Sequence, residues 1–283
     1  MHYHGSHRTT YTYPGPVFLE QHTIRLRPRS DPRQDVREYS LEITPEPDGL
    51  TEGIDAWGND VVWVWFSGRH DRLEIATRFV VETRGENPFD FIVPTSDAEG
   101  LTPSYTPEER AALTPYLVAP PGLHASVHEL AADAVRAANH AIVAFPGELA
   151  KRIHQRCELV YRASGPPLPA AETLAAGRGS CRDLAMLFID VCRTVGVAGR
   201  FISGYVAQRP PGEPADLHAW AGVYIPGGGW RAFDPSQGLA VSHGHVKVAA
   251  AAVPAGAAPI DGSFLSSDTT SELSYAIELD VRP

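Results

Sequence analysis

The first part of the chain, up to about residue 94, alternates apolar and polar positions in the manner of β-strands. Residues 39–43 and 73–81 place mainly apolar side chains at every second position. Between them, the continuous apolar run 61–66 is bounded by Gly-Asn and Ser-Gly turn signals, as expected of a strand covered on both faces. Residues 1–94 are therefore predicted to form an antiparallel, β-rich N-terminal region.

Helical spacing replaces this alternation after a linker at 84–104 that is rich in Gly, Pro, Asn and Ser. A capping-box pattern that starts at Thr106 predicts the first helix. Apolar side chains recur at helical intervals in residues 126–140 and 147–161, and a short helical turn is predicted near Glu172. These segments are typical of helices that pack on a core.

Strand-like segments return in the last third of the chain, at 199–207, 217–225 and 230–235. The turn at 226–229 joins the last two as a hairpin. The Ala/Pro/Gly tract at 249–259 is interpreted as an irregular loop, and residues 271–281 as a final strand. The predicted fold class is α+β: an N-terminal antiparallel β module, then a domain at 95–283 in which helices pack on an antiparallel sheet.

Composition and charge narrow the function classes. The 283-residue chain has 43% hydrophobic and 20% charged residues, which is typical of a soluble globular protein. A formal net charge of −10 argues against a nucleic-acid partner. No apolar stretch approaches the ~20 residues that span a bilayer, so no membrane association is predicted. The start of the sequence lacks the pattern of a secretory signal, and we expect a cytoplasmic protein.

Three cysteines are present, without CxxC spacing, which argues against a disulfide framework or a structural zinc site. Cys181 follows a Gly-Arg-Gly-Ser segment and opens a strongly helical run. The positive end of a helix dipole favours the ionised form of a thiol, so this is a setting for a nucleophile. The alternative is a small buried core residue. Cys192, eleven residues further on, and Cys157 are interpreted as buried structural thiols.

A thiol that attacks amides needs a base and a group that orients the base. His218 stands at the start of one predicted hairpin strand and Asp234 at the end of the other, so the two side chains are expected to be cross-strand neighbours. Taken separately, His218 is as well explained as a hydrogen-bonded core histidine and Asp234 as an Asp-Pro turn residue. All three together favour a catalytic site.

The ordered blocks GSCRDLA, FISGYV, DLHAWAGVYIPGGGW and FDPS resemble the bacterial transglutaminase-like superfamily, over roughly residues 130–245. YPGPVFLEQHTIRLRPR, DAWGNDVVWVWF and HDRLEI resemble the β-rich N-terminal region that accompanies this domain in many bacterial proteins. The resemblance implies a papain-like core at about 126–245, with Cys181 as nucleophile, His218 as general base and then acid, and Asp234 fixing the imidazole tautomer.

The same blocks contain four further residues that match family positions. For Arg182 and Asp183 the alternatives are lining the cleft and pairing with neighbours, of which we favour the second. Trp220 and Trp230 are better explained as core than as a substrate platform. The backbone N–H of Cys181 is the natural oxyanion donor, and a second donor is not assigned.

Two departures leave the substrate open. Met186 stands where commoner members carry a histidine, and residues 252–254 replace an Arg-Asp-Tyr motif. The HxH pair His243 and His245 has the spacing of metal ligands on a strand, but no third ligand is evident and no metal or other cofactor is predicted.

The predicted chemistry is acyl transfer through a Cys181 thioester on a peptide, protein or amide substrate. Hydrolysis is favoured by analogy with the superfamily, and the alternative within this chemistry is a transglutaminase with an amine acceptor. A non-catalytic module that binds peptides or proteins is the alternative from another class. Substrate-binding residues and the oligomeric state are not assigned.

Overall fold

Long antiparallel strands dominate the N-terminal third of the computed structural model, which describes residues 1–93, 100, 103–207, 215–266 and 270–282. The strands are β1 (His2–Leu19), β2 (His22–Ile24), β3 (Gln34–Thr44), β4 (Gly49–Ile54), β5 (Asp60–Trp65) and β6 (His70–Thr83). β6 lies between β1 and β3 in one sheet, and β5 lies between β2 and β4 in a second.

The alternating pattern of the sequence turns one face of each of these sheets toward a shared core. Its buried members are Tyr13, Val17, Leu19, Ile24, Leu26, Val62, Val64, Leu73 and Ile75. The run 61–66 is covered less completely than predicted, because β5 belongs to a sheet with an open outer face. Trp65 is 46% exposed there.

The helical part begins with α1 (Pro107–Leu117), α2 (Ala125–Ala137) and α3 (Phe145–Arg156). The predicted capping box is confirmed, since Thr106 Oγ1 accepts from the N–H of Glu109 at 3.1 Å and the Glu109 carboxylate accepts from the N–H of Thr106 at 3.0 Å. In the part of the chain that the structure describes, no helix combines the length and the apolar character needed to cross a bilayer.

The helix predicted over 147–161 ends early, at Arg156. Residues 158–159 form β7 (Glu158–Leu159), which pairs in parallel with β8 (Arg178–Gly179). The N–H of Glu158 donates to Gly177 and that of Val160 to Gly179, at 2.9 and 3.0 Å. These long-range bonds take the place of the last helical turns, so the prediction of helix beyond 156 is wrong.

Two further helices, α4 (Ala170–Ala176) and α5 (Cys181–Thr194), flank β8. They are followed by β9 (Gly199–Val206), β10 (His218–Ile225), β11 (Gly229–Asp234), β12 (Leu239–Ala240) and β13 (His245–Ala251). These five strands form an antiparallel sheet in the order β12-β11-β10-β9-β13. α5 packs on it, with Phe188 stacked on Phe233 at 6.1 Å between ring centres. The α+β fold predicted from the sequence is confirmed.

The Ala/Pro/Gly tract at 249–259 is more ordered than the predicted irregular loop. β13 continues to Ala251, with Ala250 opposite Ile202 in the sheet, and residues 254–257 form a 3₁₀ turn. Ala250 is buried, and its N–H donates to the Asn59 side chain at 2.8 Å. The Ala250 side chain belongs to a small buried cluster of the core sheet with Ile202 and Trp220.

The chain closes with β14 (Ile260–Asp261), β15 (Phe264–Leu265) and β16 (Glu272–Arg282). The last strand is assigned from the sequence to the 95–283 domain, but β16 runs antiparallel to β1 from the pair His2–Arg282 to the pair Thr12–Glu272. It thereby covers an edge of β1 that would otherwise be open. The predicted domain boundary at 94/95 lies outside the described residues.

The N-terminal sheet packs on β9 and β13 of the core sheet. The buried apolar residues at this contact are Tyr3, Phe79, Val81, Tyr205, Val246, Val248 and Ile277. The Tyr3 hydroxyl adds a hydrogen bond to the carbonyl of His243 at 2.6 Å. The first residue of β13, His245, is held at one end of this contact.

Candidate active site

Cys181 is the first residue of α5, and the local sequence puts it there. Gly177 ends α4 in the left-handed region, at φ 60°, and turns the chain into β8. Ser180 then caps α5 together with Asp183, whose Oδ2 accepts from the N–H and the hydroxyl of Ser180, each at 2.7 Å. Cys181 is partly exposed, whereas Cys157 and Cys192 are buried.

Asp183 also anchors the segment that precedes α4. Its Oδ1 accepts from the N–H of Leu168 at 2.8 Å and pairs with the Arg162 guanidinium. Burial acts to raise the pKa of this carboxyl, but the hydrogen bonds from Ser180, Leu168 and Arg162 outweigh it and hold the pKa below its usual value. Arg182 donates to the carbonyl of Ser164 at 3.1 Å. Both residues pair with neighbours, as favoured from the sequence.

His218 and Asp234 meet across the β10–β11 hairpin. The register that pairs Ala221 with Phe233 brings the first residue of β10 close to the last residue of β11. His218 Nε2 donates to Asp234 Oδ2 at 2.7 Å. The Asp234 side chain is fully buried, and that of His218 is 10% exposed. The neighbouring positions expected from the sequence are therefore present.

The electrostatics of this pair favour an imidazolium. Burial acts to lower the pKa of His218, but the Asp234 carboxylate and then the Cys181 side chain outweigh it, and the pKa rises to about 10. The same contact holds the pKa of Asp234 far below its usual range, against the effect of burial. Since Nε2 is bound to Asp234, the other ring nitrogen, Nδ1, is the one left for exchange with the thiol.

A second histidine binds the same carboxylate oxygen. His245 Nε2 donates to Asp234 Oδ2 at 2.9 Å, while Asp234 Oδ1 accepts from the Ser236 hydroxyl at 2.6 Å. Trp220 is 1% exposed and packs edge-on against His245 at 5.0 Å and parallel to His218 at 6.0 Å. Trp220 is therefore core, as favoured from the sequence.

Sequence reasoning missed this role of His245, which it considered only beside His243. The HxH spacing of His243 and His245 was the available signal, and it does not indicate Asp234 as a partner. Ligand atoms of His218, Asp234 and His245 lie within 4.8 Å of one another. The two N–O distances of 2.7 and 2.9 Å are those of hydrogen bonds. Two ligands of a tetrahedral zinc ion lie about 3.3 Å apart, so the geometry favours a hydrogen-bonded network over a metal centre.

The remaining predicted positions lie away from this network. Trp230 is partly exposed and contacts Tyr116 and Tyr224. Cys192 and Cys157 are 0% and 4% exposed, and burial raises the pKa of each thiol. Both are buried as predicted, although Cys157 follows α3 in extended conformation and does not lie in the helix.

Family models match both parts of this chain. The model of the transglutaminase-like superfamily matches residues 128–235, which include Cys181, His218 and Asp234. That of the bacterial transglutaminase-like N-terminal region matches residues 3–82. Residues 128–235 belong to the transglutaminase-like superfamily. His245 lies beyond the matched core of this transglutaminase-like chain.

Relatives of this transglutaminase-like chain extend over nearly its whole length. An uncharacterized protein of Mycobacterium leprae is 24% identical over 96% of each chain, and one of Mycobacterium tuberculosis is 26% identical over 98% of this chain and 92% of the relative. The crystal structure of "a Putative Cysteine Protease from Cytophaga hutchinsonii" superposes with a TM-score of 0.74, at 21% identity, over 99% of this chain and 90% of that one. The two molecules share the fold.

Proposed function

We propose that this protein is a cysteine amidohydrolase that cleaves amide or peptide bonds through a Cys181 thioester. The observation that carries the proposal is the hydrogen bond from His218 to the buried Asp234. The Cys181 side chain also acts on this imidazole, since it helps to raise the pKa of His218. A nucleophile, a proton carrier and an orienting carboxylate are thereby in the order that acyl transfer requires. The superfamily and the fold support the same chemistry.

The first half-reaction forms the acyl-enzyme. The Cys181 thiolate attacks the carbonyl carbon, and the new C–S bond converts the carbonyl oxygen to an oxyanion. Collapse of this intermediate breaks the C–N bond, and the His218 imidazolium gives its Nδ1 proton to the leaving amine. Amine and thioester result, and His218 is left neutral.

The second half-reaction restores the enzyme. Water attacks the thioester carbon while neutral His218 takes one of its protons, and the C–S bond then breaks. The products are the carboxylic acid and the thiolate–imidazolium pair with which the cycle began. Asp234 keeps its negative charge throughout and stabilises the imidazolium whenever it forms.

Backbone groups at the start of α5 supply the electrostatic part of catalysis. The N–H of Cys181 lies at the positive end of the helix dipole and is the proposed donor to the oxyanion. The cap made by Ser180 and Asp183 fixes the orientation of this first turn, so the donor and the sulfur are held together.

Selective alkylation tests whether Cys181 is activated. Iodoacetamide at about pH 6 is expected to modify Cys181 at least tenfold faster than Cys157 or Cys192, because both of those are buried. His218→Ala is expected to slow the reaction of Cys181, and Cys192→Ser serves as the matched control. Equal rates in wild type and His218→Ala would overturn the mechanism and favour the non-catalytic binding module.

Activity profiling separates hydrolysis from transamidation. Wild type and Cys181→Ser are compared on a library of peptides and glutamine amides, with and without a primary amine. We expect Cys181-dependent release of amine or ammonia without an added acceptor. Product that forms only with the added amine would identify a transglutaminase instead.

A further inference from the structure

We propose that His245 is a positioning residue of this site, which fixes the Asp234 carboxylate and thereby the catalytic imidazole. The inference rests on the proposed function. It concerns a residue outside the Cys, His and Asp set implied by the superfamily, and on a strand that is not adjacent to either hairpin strand.

The hydrogen-bond geometry is the first observation. Asp234 Oδ2 accepts from both His218 at 2.7 Å and His245 at 2.9 Å. Asp234 Oδ1 accepts from the N–H and hydroxyl of Ser236, at 2.9 and 2.6 Å, and from the N–H of Gln237 at 3.3 Å. With both oxygens bound on a fully buried side chain, the carboxylate cannot rotate without breaking several bonds.

The second observation is the direction from which the two histidines approach. His218 comes from β10, next to the strand of Asp234, whereas His245 comes from β13, at the far edge of the sheet. Trp220 packs against both rings, parallel to His218 and edge-on to His245. Gly204 makes this possible, since a Cβ there would lie 2.8 Å from the Trp220 ring and 2.0 Å from the carbonyl of Val246.

His245 differs from His218 in its charge, because it is held in the neutral form. Burial lowers the pKa of His245, and the charge of His218 lowers it further, against the effect of Asp234. His245 therefore donates as a neutral imidazole. A neutral donor reduces the basicity of Asp234 without competing for its charge, so the proton stays on His218, where the leaving amine needs it.

A pair of substitutions separates the donor from the packing. His245→Gln keeps an N–H at similar reach, and His245→Leu keeps bulk without a donor. We expect iodoacetamide to modify Cys181 in the Gln variant within about threefold of the wild-type rate. In the Leu variant the rate at pH 6 should fall by about 10- to 100-fold, with an altered pH profile. His243→Leu is the matched control, because that side chain lies outside the network.

The outcomes distinguish the two proposals. If wild-type Cys181 reacts no faster than in His218→Ala, the proposed function fails, whatever His245 does. If wild-type Cys181 is activated but His245→Leu retains both the wild-type rate and the wild-type pH profile, the role of His245 is overturned. Should the Leu variant not fold, His245→Asn, whose amide is too short to reach Asp234, replaces it. An Asn variant that equals the Gln variant would also overturn the proposal.

Discussion

Replacing Asp183 with asparagine tests how the start of α5 is held. The buried carboxylate accepts from the N–H and hydroxyl of Ser180, from the N–H of Leu168 and from Arg162. Asparagine retains one acceptor oxygen and presents an NH₂ group to the donors of the other. About half of these bonds are lost, and bonds to a charged group contribute about 1.5–3 kcal/mol each. Since Arg162 is 28% exposed and keeps access to water, we expect a net loss of about 3 kcal/mol.

This loss corresponds to a decrease in Tm of about 6–9 °C, at roughly 2–3 °C per kcal/mol for a chain of this size. Thermal unfolding followed by circular dichroism gives the Tm. Iodoacetamide alkylation reports on the first turn of α5, and Cys181 should also lose selectivity in Asp183→Asn as that turn frays.

Asp190 provides a matched control in the same helix, with the opposite expected sign. Its Oδ1 is buried without a hydrogen-bond partner among the described residues, and burial, opposed by Arg193, raises its pKa to about 6. Because the folded-state pKa is above the unfolded value, the charge costs stability at pH 7. Asp190→Asn should leave Tm unchanged or raise it by the equivalent of about 1–2 kcal/mol. An Asp183→Asn variant that melts within 2 °C of wild type, or an equal loss of stability in both variants, would contradict the proposed role of the Asp183 cap.

Three other predictions concern the site and the sheet beneath it. Asp234→Asn should lower amide turnover by about 10²–10⁴-fold. The alkaline limb of its pH–rate profile should move down from near 10 toward the ordinary histidine value, because the Asp234 carboxylate raises the pKa of His218. An alkaline limb that does not move would contradict this. The interaction that raises the pKa of His218 also stabilises the fold. This contribution is complete below about pH 6.5 and decreases as the pH rises through about 10. In parallel melts, the Tm of wild type should therefore fall more over that interval than the Tm of His218→Ala. Gly204→Ala should lower the free energy of unfolding by more than about 3 kcal/mol, since its Cβ would lie 2.0 Å from a backbone carbonyl. In the same denaturant titration Gly222→Ala should lower it less, because its Cβ would meet an arginine side chain at 3.0 Å.

The position of the candidate nucleophile could be predicted because it depends on neighbours in the sequence. Gly177 ends one helix, Ser180 and Asp183 cap the next, and Cys181 is then the first helical residue. The His218–Asp234 contact could be predicted for a related reason, since a short hairpin turn at 226–229 fixes the register between two adjacent strands.

Tertiary structure alone decided the features that depend on contacts between distant segments. α3 ends at Arg156 because the residues that follow form β7, which pairs with β8. β16 joins the N-terminal sheet because one edge of β1 is available for pairing. His245 reaches Asp234 across two intervening strands, and no local spacing encodes that approach. Helix caps and tight turns are determined by a few consecutive residues. The pairing of remote strands depends instead on which surfaces remain to be covered once the whole chain has collapsed.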